Sequence, residues 1–212
     1  VNLTIEAGDF IGIFGANGSG KSTLIKTLVK LLPPLSGKIK YDPSVKHSAI
    51  GYLPQEIKAN PDFPATAYEV VISGCVNRLG LRAIYNKEER NLAMRYMTIL
   101  GIDDLRNKSF KELSGGERQK ALLARALVSC EKILFLDEPF NALDERTREQ
   151  LYRTLSEINK LYGVSIVMIS HDNETTIKYV NRIIEIAETI KFDGTPKEYL
   201  KKEGAVNVSN MA

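Results

Sequence analysis

The run Gly15-Ala16-Asn17-Gly18-Ser19-Gly20-Lys21-Ser22-Thr23 has the residue types and spacing to hold a phosphate chain. It fits the pattern G-x-x-x-x-G-K-[ST], in which glycines let the backbone turn until successive N–H groups point inward as an anion nest. A helix beginning near Lys21 would add its N-terminal partial positive charge. Lys21 can reach the β- and γ-phosphates as a mobile cation, and the Ser22 hydroxyl is a hard oxygen donor for Mg²⁺. A glycine-rich turn with an exposed lysine would share the residue types, but not the strand before it and the helix after it. The run therefore reads as a nucleotide site, with Gly15, Asn17, Gly18, Ser19, Gly20, Lys21, Ser22 and Thr23 as its candidate binding residues.

Two carboxylates supply the complementary chemistry. Ile133-Leu134-Phe135-Leu136 is an apolar run that ends in Asp137-Glu138. A buried strand ending so would place both acids at the carboxyl edge of a sheet, where open α/β folds bind ligands. Asp137 is suited to the Mg²⁺ shell, and Glu138 to orienting or deprotonating an attacking water. Taken alone, the pair reads equally well as a solvated acidic turn; the phosphate loop favours the catalytic reading. Ser114-Gly115-Gly116-Glu117 has two readings also. Its free amides at a helix start could take a second anion, or Ser114 and Glu117 could simply form a capping box. His171, directly after Val167-Met168-Ile169-Ser170, is either an ordinary polar residue at a strand end or a ligand of the terminal phosphate. Gln55 closes Tyr52-Leu53-Pro54-Gln55, and its amide could touch Mg²⁺ or water; the plainer reading is a surface loop. His47 lies in a polar loop and receives no role.

The elements that must position these groups are legible as alternating patterns. Phe10–Phe14 is an apolar run without polar alternation, as in a strand buried on both faces, and further apolar runs follow at Ile50–Leu53, Ile133–Leu136, Ser165–Ile169 and Arg182–Ile186. Leu24, Leu28 and Leu32, widened by Ile25 and Val29, predict an amphipathic helix stopped by Pro33-Pro34. Ala121–Val128 and the set Leu151, Leu155, Ile158 and Tyr162 predict two more. Strands alternating with helices imply an α/β fold with a mainly parallel sheet. The stretch 56–112 breaks the alternation. It opens with a proline-punctuated loop (Pro54, Pro61, Pro64), then shows a Thr66/Glu69 capping box and an Asn86 cap with Gly101 as the stop. It reads as a helical subdomain inserted between 1–55 and 113–212, within one domain spanning 1–212. Thr195-Pro196-Lys197-Glu198 predicts a last helix with proline at its first position.

Composition narrows the class. The chain has 212 residues, 43% apolar and 26% charged, with a formal net charge of +3. These values fit a globular domain and do not mark a nucleic-acid binder. Cys75 and Cys130 form neither a disulfide framework nor a zinc site, which suits a reducing compartment. No apolar run reaches the roughly 18 residues of a membrane span, and no signal-peptide layout is present, as in a soluble intracellular domain.

Leu113-Ser114-Gly115-Gly116-Glu117-Arg118-Gln119, together with Gln55, Asp144 and His171, makes the chain resemble the ATP-binding subunit of an ABC (ATP-binding cassette) protein. The resemblance covers nearly the whole chain in family order: phosphate loop, Q-loop (Gln55), signature, acidic strand, D-loop (Asn141-Ala142-Leu143-Asp144) and H-loop (His171). It implies a P-loop ATPase core and hydrolysis of ATP with Mg²⁺ held by Ser22, Gln55 and Asp137. Catalytic roles then fall to Glu138, His171 and Lys21. It implies a homodimer or heterodimer in which Ser114, Gly115 and Gly116 contact the nucleotide of the opposite subunit, as ATP-dependent closure of two states requires. It also implies integral-membrane partners, a solute-binding protein, and a place on the cytoplasmic face of the membrane, with no nucleic acid. Gly51-Tyr52-Leu53-Pro54-Gln55, Phe63-Pro64-Ala65-Thr66 and Glu69-Val70-Val71 look similar to zinc/manganese importer ATPases and, less closely, to iron-siderophore ones. Another importer, an exporter, or a non-transport ABC ATPase is the alternative. The family usually carries an aromatic upstream of the phosphate loop to stack on adenine; here none precedes Phe10, which reads as strand core.

Overall fold

A computed structural model describes residues 1–45, 49–55, 64–141 and 143–209, with side chains as far as residue 204. His47 and the opening loop of the insert, residues 56–63, lie outside the described residues. The strands are β1 (Phe10–Phe14), β2 (Ile50–Leu53), β3 (Ile133–Asp137), β4 (Ser165–Ile169), β5 (Arg182–Ala187) and β6 (Thr189–Gly194). They form one sheet in the order β2-β3-β4-β1-β5-β6. Every neighbouring pair is parallel except β5 and β6.

Both faces of the sheet are covered, which explains the unbroken apolar runs. Because strand side chains alternate, Phe10, Phe14, Leu134 and Met168 enter one core while Ile11, Ile13, Phe135 and Val167 enter the other. The second core is closed by Ile25 and Val29 from α1 (Lys21–Leu28) and its cap. The first is closed by α5 (Gly115–Ser129) and α6 (Glu145–Tyr162).

α1 ends before the proline pair. Lys30 takes a left-handed conformation (φ +62°), and the Lys30 and Leu31 amides return to the Thr27 and Lys26 carbonyls at 3.1 and 2.8 Å. This is a Schellman ending built without glycine. Leu32 is therefore not on the buried stripe and is exposed.

Between β2 and α5 lie α2 (Ala67–Ile72), α3 (Val76–Leu79) and α4 (Lys87–Ile99). Thr66 and Asn86 form capping boxes with Glu69 and Glu89, and Gly101 turns left-handed after α4. Val71, Ala93 and Met97 pack into the same core as Leu123 of α5, so α5 is shared by these helices and the sheet. Close approach of α5 to β2 needs Gly51: a Cβ there would stand 2.5 Å from the Ala126 carbonyl oxygen. The remaining helices are the short α7 (Asn173–Ile177) and the longer α8 (Pro196–Ser209), the latter opening on proline as its sequence implies.

Candidate active site

Adjacent strands lie about 4.8 Å apart. The order β2-β3-β4-β1 therefore sets four strand ends in a row: Gln55, then Asp137 and Glu138, then His171, then the phosphate loop. Residues up to 156 positions apart in sequence, Gly15 and His171, meet on this carboxyl edge because each follows a parallel strand.

The loop after β1 is shaped by two glycines. At Gly15 (φ +143°) a Cβ would meet the Ile186 carbonyl oxygen at 2.1 Å, so no side chain fits. Gly20 (φ +93°) caps α1 in the left-handed conformation and starts the helix. The Lys21 ammonium donates to the carbonyl oxygens of Gly15 and Ala16, both at 2.8 Å, folding back over the loop. Burial pulls its pKa down, opposed by the charges of Glu138 and Asp137. The Ser19 hydroxyl is buried in this loop without a protein partner, which suits a bound phosphate oxygen.

Asp137 is 1% exposed, and its Oδ1 accepts from the Ser22 hydroxyl at 3.0 Å. Burial pushes its carboxyl up; the Ser22 hydrogen bond opposes this, and the neighbouring Glu138 charge adds to it. A buried carboxylate beside a hydroxyl is an oxygen donor pair of the kind Mg²⁺ takes, and Gln55, at the end of the neighbouring strand, has its amide on Glu138. The residues fit that ion.

Glu138 turns out of β3 with φ +52°, a left-handed backbone rare for a side chain of this size and costing about 1–3 kcal/mol. Its amide is held by the Ile169 carbonyl at 3.1 Å. The turn aims its carboxylate across the strand ends. Oε1 meets His171 Nε2 at 2.7 Å, and Oε2 accepts from Gln55 Nε2 at 2.8 Å and from Asn141 Nδ2. A carboxylate gripped this way is aimed as a general base needs to be.

The serine–glycine pair stands elsewhere. Ser114 caps α5 in a capping box with Glu117. Ser114, Gly116, Lys120 and Asp144 line a recess separate from the cavity lined by Glu138, Asn141 and His171. Asp144 caps α6 through the Thr147 amide at 2.9 Å. Ala142 lies outside the described residues.

A sequence profile described as "ABC transporter" matches residues 1–141. The chain belongs to the ABC transporter family. Among relatives, the zinc uptake system ATP-binding protein ZurA of Listeria innocua is 34% identical over 205 residues, covering 94% of this chain and 80% of that one. The manganese transport system ATP-binding protein MntB of Bacillus subtilis is 36% identical over 187 residues, covering 87% and 74%. The dimeric structure of a bacterial ABC transporter cassette superposes with TM-score 0.80 at 27% identity, over 92% of this chain and 89% of that one. A dimeric post-hydrolysis state of that cassette bound to ADP and Pi matches equally.

The chain is thus an ABC transporter's ATP-binding subunit and an ATPase, with the mainly parallel α/β fold its sequence implied. ABC ATPase domains work as dimers with membrane permease subunits, and among the described residues no helix is long and apolar enough to cross a membrane. Phe10, at 1% exposed, is strand core as read from sequence. Three site contacts escaped sequence reasoning. Asn141 touches Glu138 itself, Gln119 donates to the Pro139 carbonyl at 2.5 Å, and Arg148 pairs with Asp172 behind His171. The nearest sequence signal is the position of Asn141, three residues after Glu138.

Proposed function

We propose that this ATP-binding subunit powers import of a transition-metal ion, zinc or manganese, through separate membrane subunits and a solute-binding protein, from the cytoplasmic face of the membrane. The similarity to ZurA and MntB across most of the chain supports the cargo class. The cargo need not touch this subunit; hydrolysis of ATP to ADP and phosphate is its contribution.

The observation that carries the hydrolytic reading is the grip on Glu138 by His171, Gln55 and Asn141. Glu138 takes the proton of the attacking water, and His171 fixes Glu138 while standing on the phosphate side of the sheet edge. Lys21 and the loop amides hold the β- and γ-phosphates, with Gly15, Asn17, Gly18, Ser19, Gly20 and Thr23 forming the cradle. Ser22, Asp137 and Gln55 would hold Mg²⁺, which when bound offsets charge on the phosphate oxygens. Ser114, Gly115 and Gly116 complete the site of the opposite subunit, beside Asp144. Residues 56–112 are the insert that meets the membrane partners, set in a core of 1–55 and 113–212, with helices α2 to α4 among its described residues.

Uptake of labelled zinc and manganese in cells lacking the gene tests the cargo. Wild type restores uptake of one of the two metals and Glu138→Gln restores neither. Restoration by Glu138→Gln, or no metal uptake with wild type, overturns the reading.

A further inference from the structure

The two oxygens of Glu138 are held by two different loops. His171 on Oε1 belongs to the loop after β4, and Asn141 on Oε2 to the loop before α6. Behind them, in the first turns of α6, Arg148 reaches both loops at once. Its Nη1 donates to Asp172 Oδ2 at 2.6 Å, and its Nη2 to the Leu143 carbonyl at 3.1 Å. Asp172 follows His171 directly, and Leu143 stands two residues after Asn141. The contacts close a ring: Glu138, Asn141, Leu143, Arg148, Asp172, His171 and back to Glu138.

We propose that Arg148 is a positioning residue that sets the aim of the Glu138 carboxylate by fixing the spacing of the two loops that grip it. A guanidinium is a rigid planar fork, so two of its N–H groups hold their acceptors at a set separation that a flexible ammonium cannot impose. The acceptor on the His171 side is itself fixed. Asp172 takes the Thr175 amide on Oδ1 at 3.0 Å, and its own amide donates to Ser170 Oγ at 3.1 Å. Both members of the pair are about three-quarters buried, with side chains 27% and 26% exposed, where a charge-assisted bond is stronger than at an open surface. Leu143 also precedes Asp144, so the same fork ties the recess containing Ser114 to the loop that holds Glu138. Arg148 touches no reacting atom; it acts through Asn141 and His171. Arg153, on the same helix, pairs at 3.4 Å with Glu149 at the surface and serves as the control.

The inference rests on the reading of Glu138 as the hydrolytic base, and the test separates the two. In the full chain, Arg148→Ala lowers kcat for ATP about 100-fold, the cost of misplacing a catalytic group by about 1 Å, while KM and nucleotide affinity hold. Asp172→Asn falls similarly, and the double variant is no slower than the worse single one, since both break one linkage. Arg148→Lys keeps the charge without the fork and falls between wild type and Arg148→Ala; with Asp172→Asn it decides the matter if Arg148→Ala does not fold. Arg153→Ala hydrolyses at the wild-type rate. Unchanged kcat in Arg148→Ala with an active wild type overturns this inference alone, as do losses that multiply in the double variant or a raised KM with intact kcat. A wild-type chain that does not hydrolyse ATP overturns the Glu138 reading and this one with it.

Discussion

His171 Nε2 lies 2.7 Å from Glu138 Oε1, across 33 residues of sequence, because β3 and β4 are neighbouring parallel strands that end together. The contact joins the loops that follow β3 and β4, where the proposed function puts the γ-phosphate and its attacking water. His171→Ala should lower kcat about 100-fold, within the usual range for loss of acid–base positioning, and leave ATP affinity unchanged. Steady-state hydrolysis with a separate nucleotide titration checks it. Parallel losses in kcat and affinity would move His171 from aiming the base to holding the nucleotide.

Lys21 is a buried cation whose hydrogen bonds end on two loop carbonyls. Removing a charged donor of this kind costs about 1.5–3 kcal/mol. Lys21→Ala should therefore weaken ATP binding roughly 10- to 100-fold by fluorescent-nucleotide titration, with the fold intact by circular dichroism. Wild-type affinity in the variant would show that the amides alone hold the phosphates.

Ser114 lines a recess that is not the cavity beside Glu138. If it serves the opposite subunit, Ser114→Arg abolishes hydrolysis while a monomer still binds ATP as wild type does. Isothermal titration at concentrations below dimerisation, beside an ATPase assay, reads both. Equal loss of binding and turnover would place Ser114 in its own chain's site.

Arg182 clamps the N-terminal segment to the sheet edge. Its guanidinium donates to Asp193 Oδ1 and Oδ2, both at 2.7 Å, and to Asp9 Oδ2 at 3.0 Å. The Arg182 hydrogen bonds hold the Asp193 carboxyl below its usual range, against burial, which pushes it up. A depressed folded-state pKa gives stability that is present above the unfolded value near 4 and is lost as pH falls through the folded value. Arg182→Ala should lower Tm more at pH 7 than at pH 3 in thermal unfolding. An equal loss at both pH values would mean that the clamp is packing rather than charge.

The sequence disclosed most of the fold where burial is two-sided. β1 and the middles of β3 and β4 are apolar at successive positions because helices cover both faces, β5 keeps three isoleucines beside Arg182 and Glu185, and the capping boxes at Thr66, Asn86 and Ser114 act locally. β6 was not legible: it is an edge strand, exposed at every second residue, and it pairs back on β5 through a turn at Glu188 with φ +64°. α1 ends at Leu28, before the stop that Pro33-Pro34 implies, because Lys30 supplies a left-handed turn of the kind that glycine usually marks in a sequence. At the site, the residue types pointed to phosphate, Mg²⁺ and water activation. Bonds such as Gln119 to Pro139 and Arg148 to Asp172 span 20 and 24 residues and depend on how helices pack, which no local pattern encodes.

The central claim is that ATP joins two copies of this chain and that Glu138 cleaves it there. Sedimentation velocity of Glu138→Gln with and without ATP and Mg²⁺ tests it most directly. A monomer that becomes a stable dimer only with ATP, and that reverts when Ser114→Arg is added, is the predicted result. A Glu138→Gln chain that stays monomeric with ATP bound, or that hydrolyses ATP at the wild-type rate, would contradict the account.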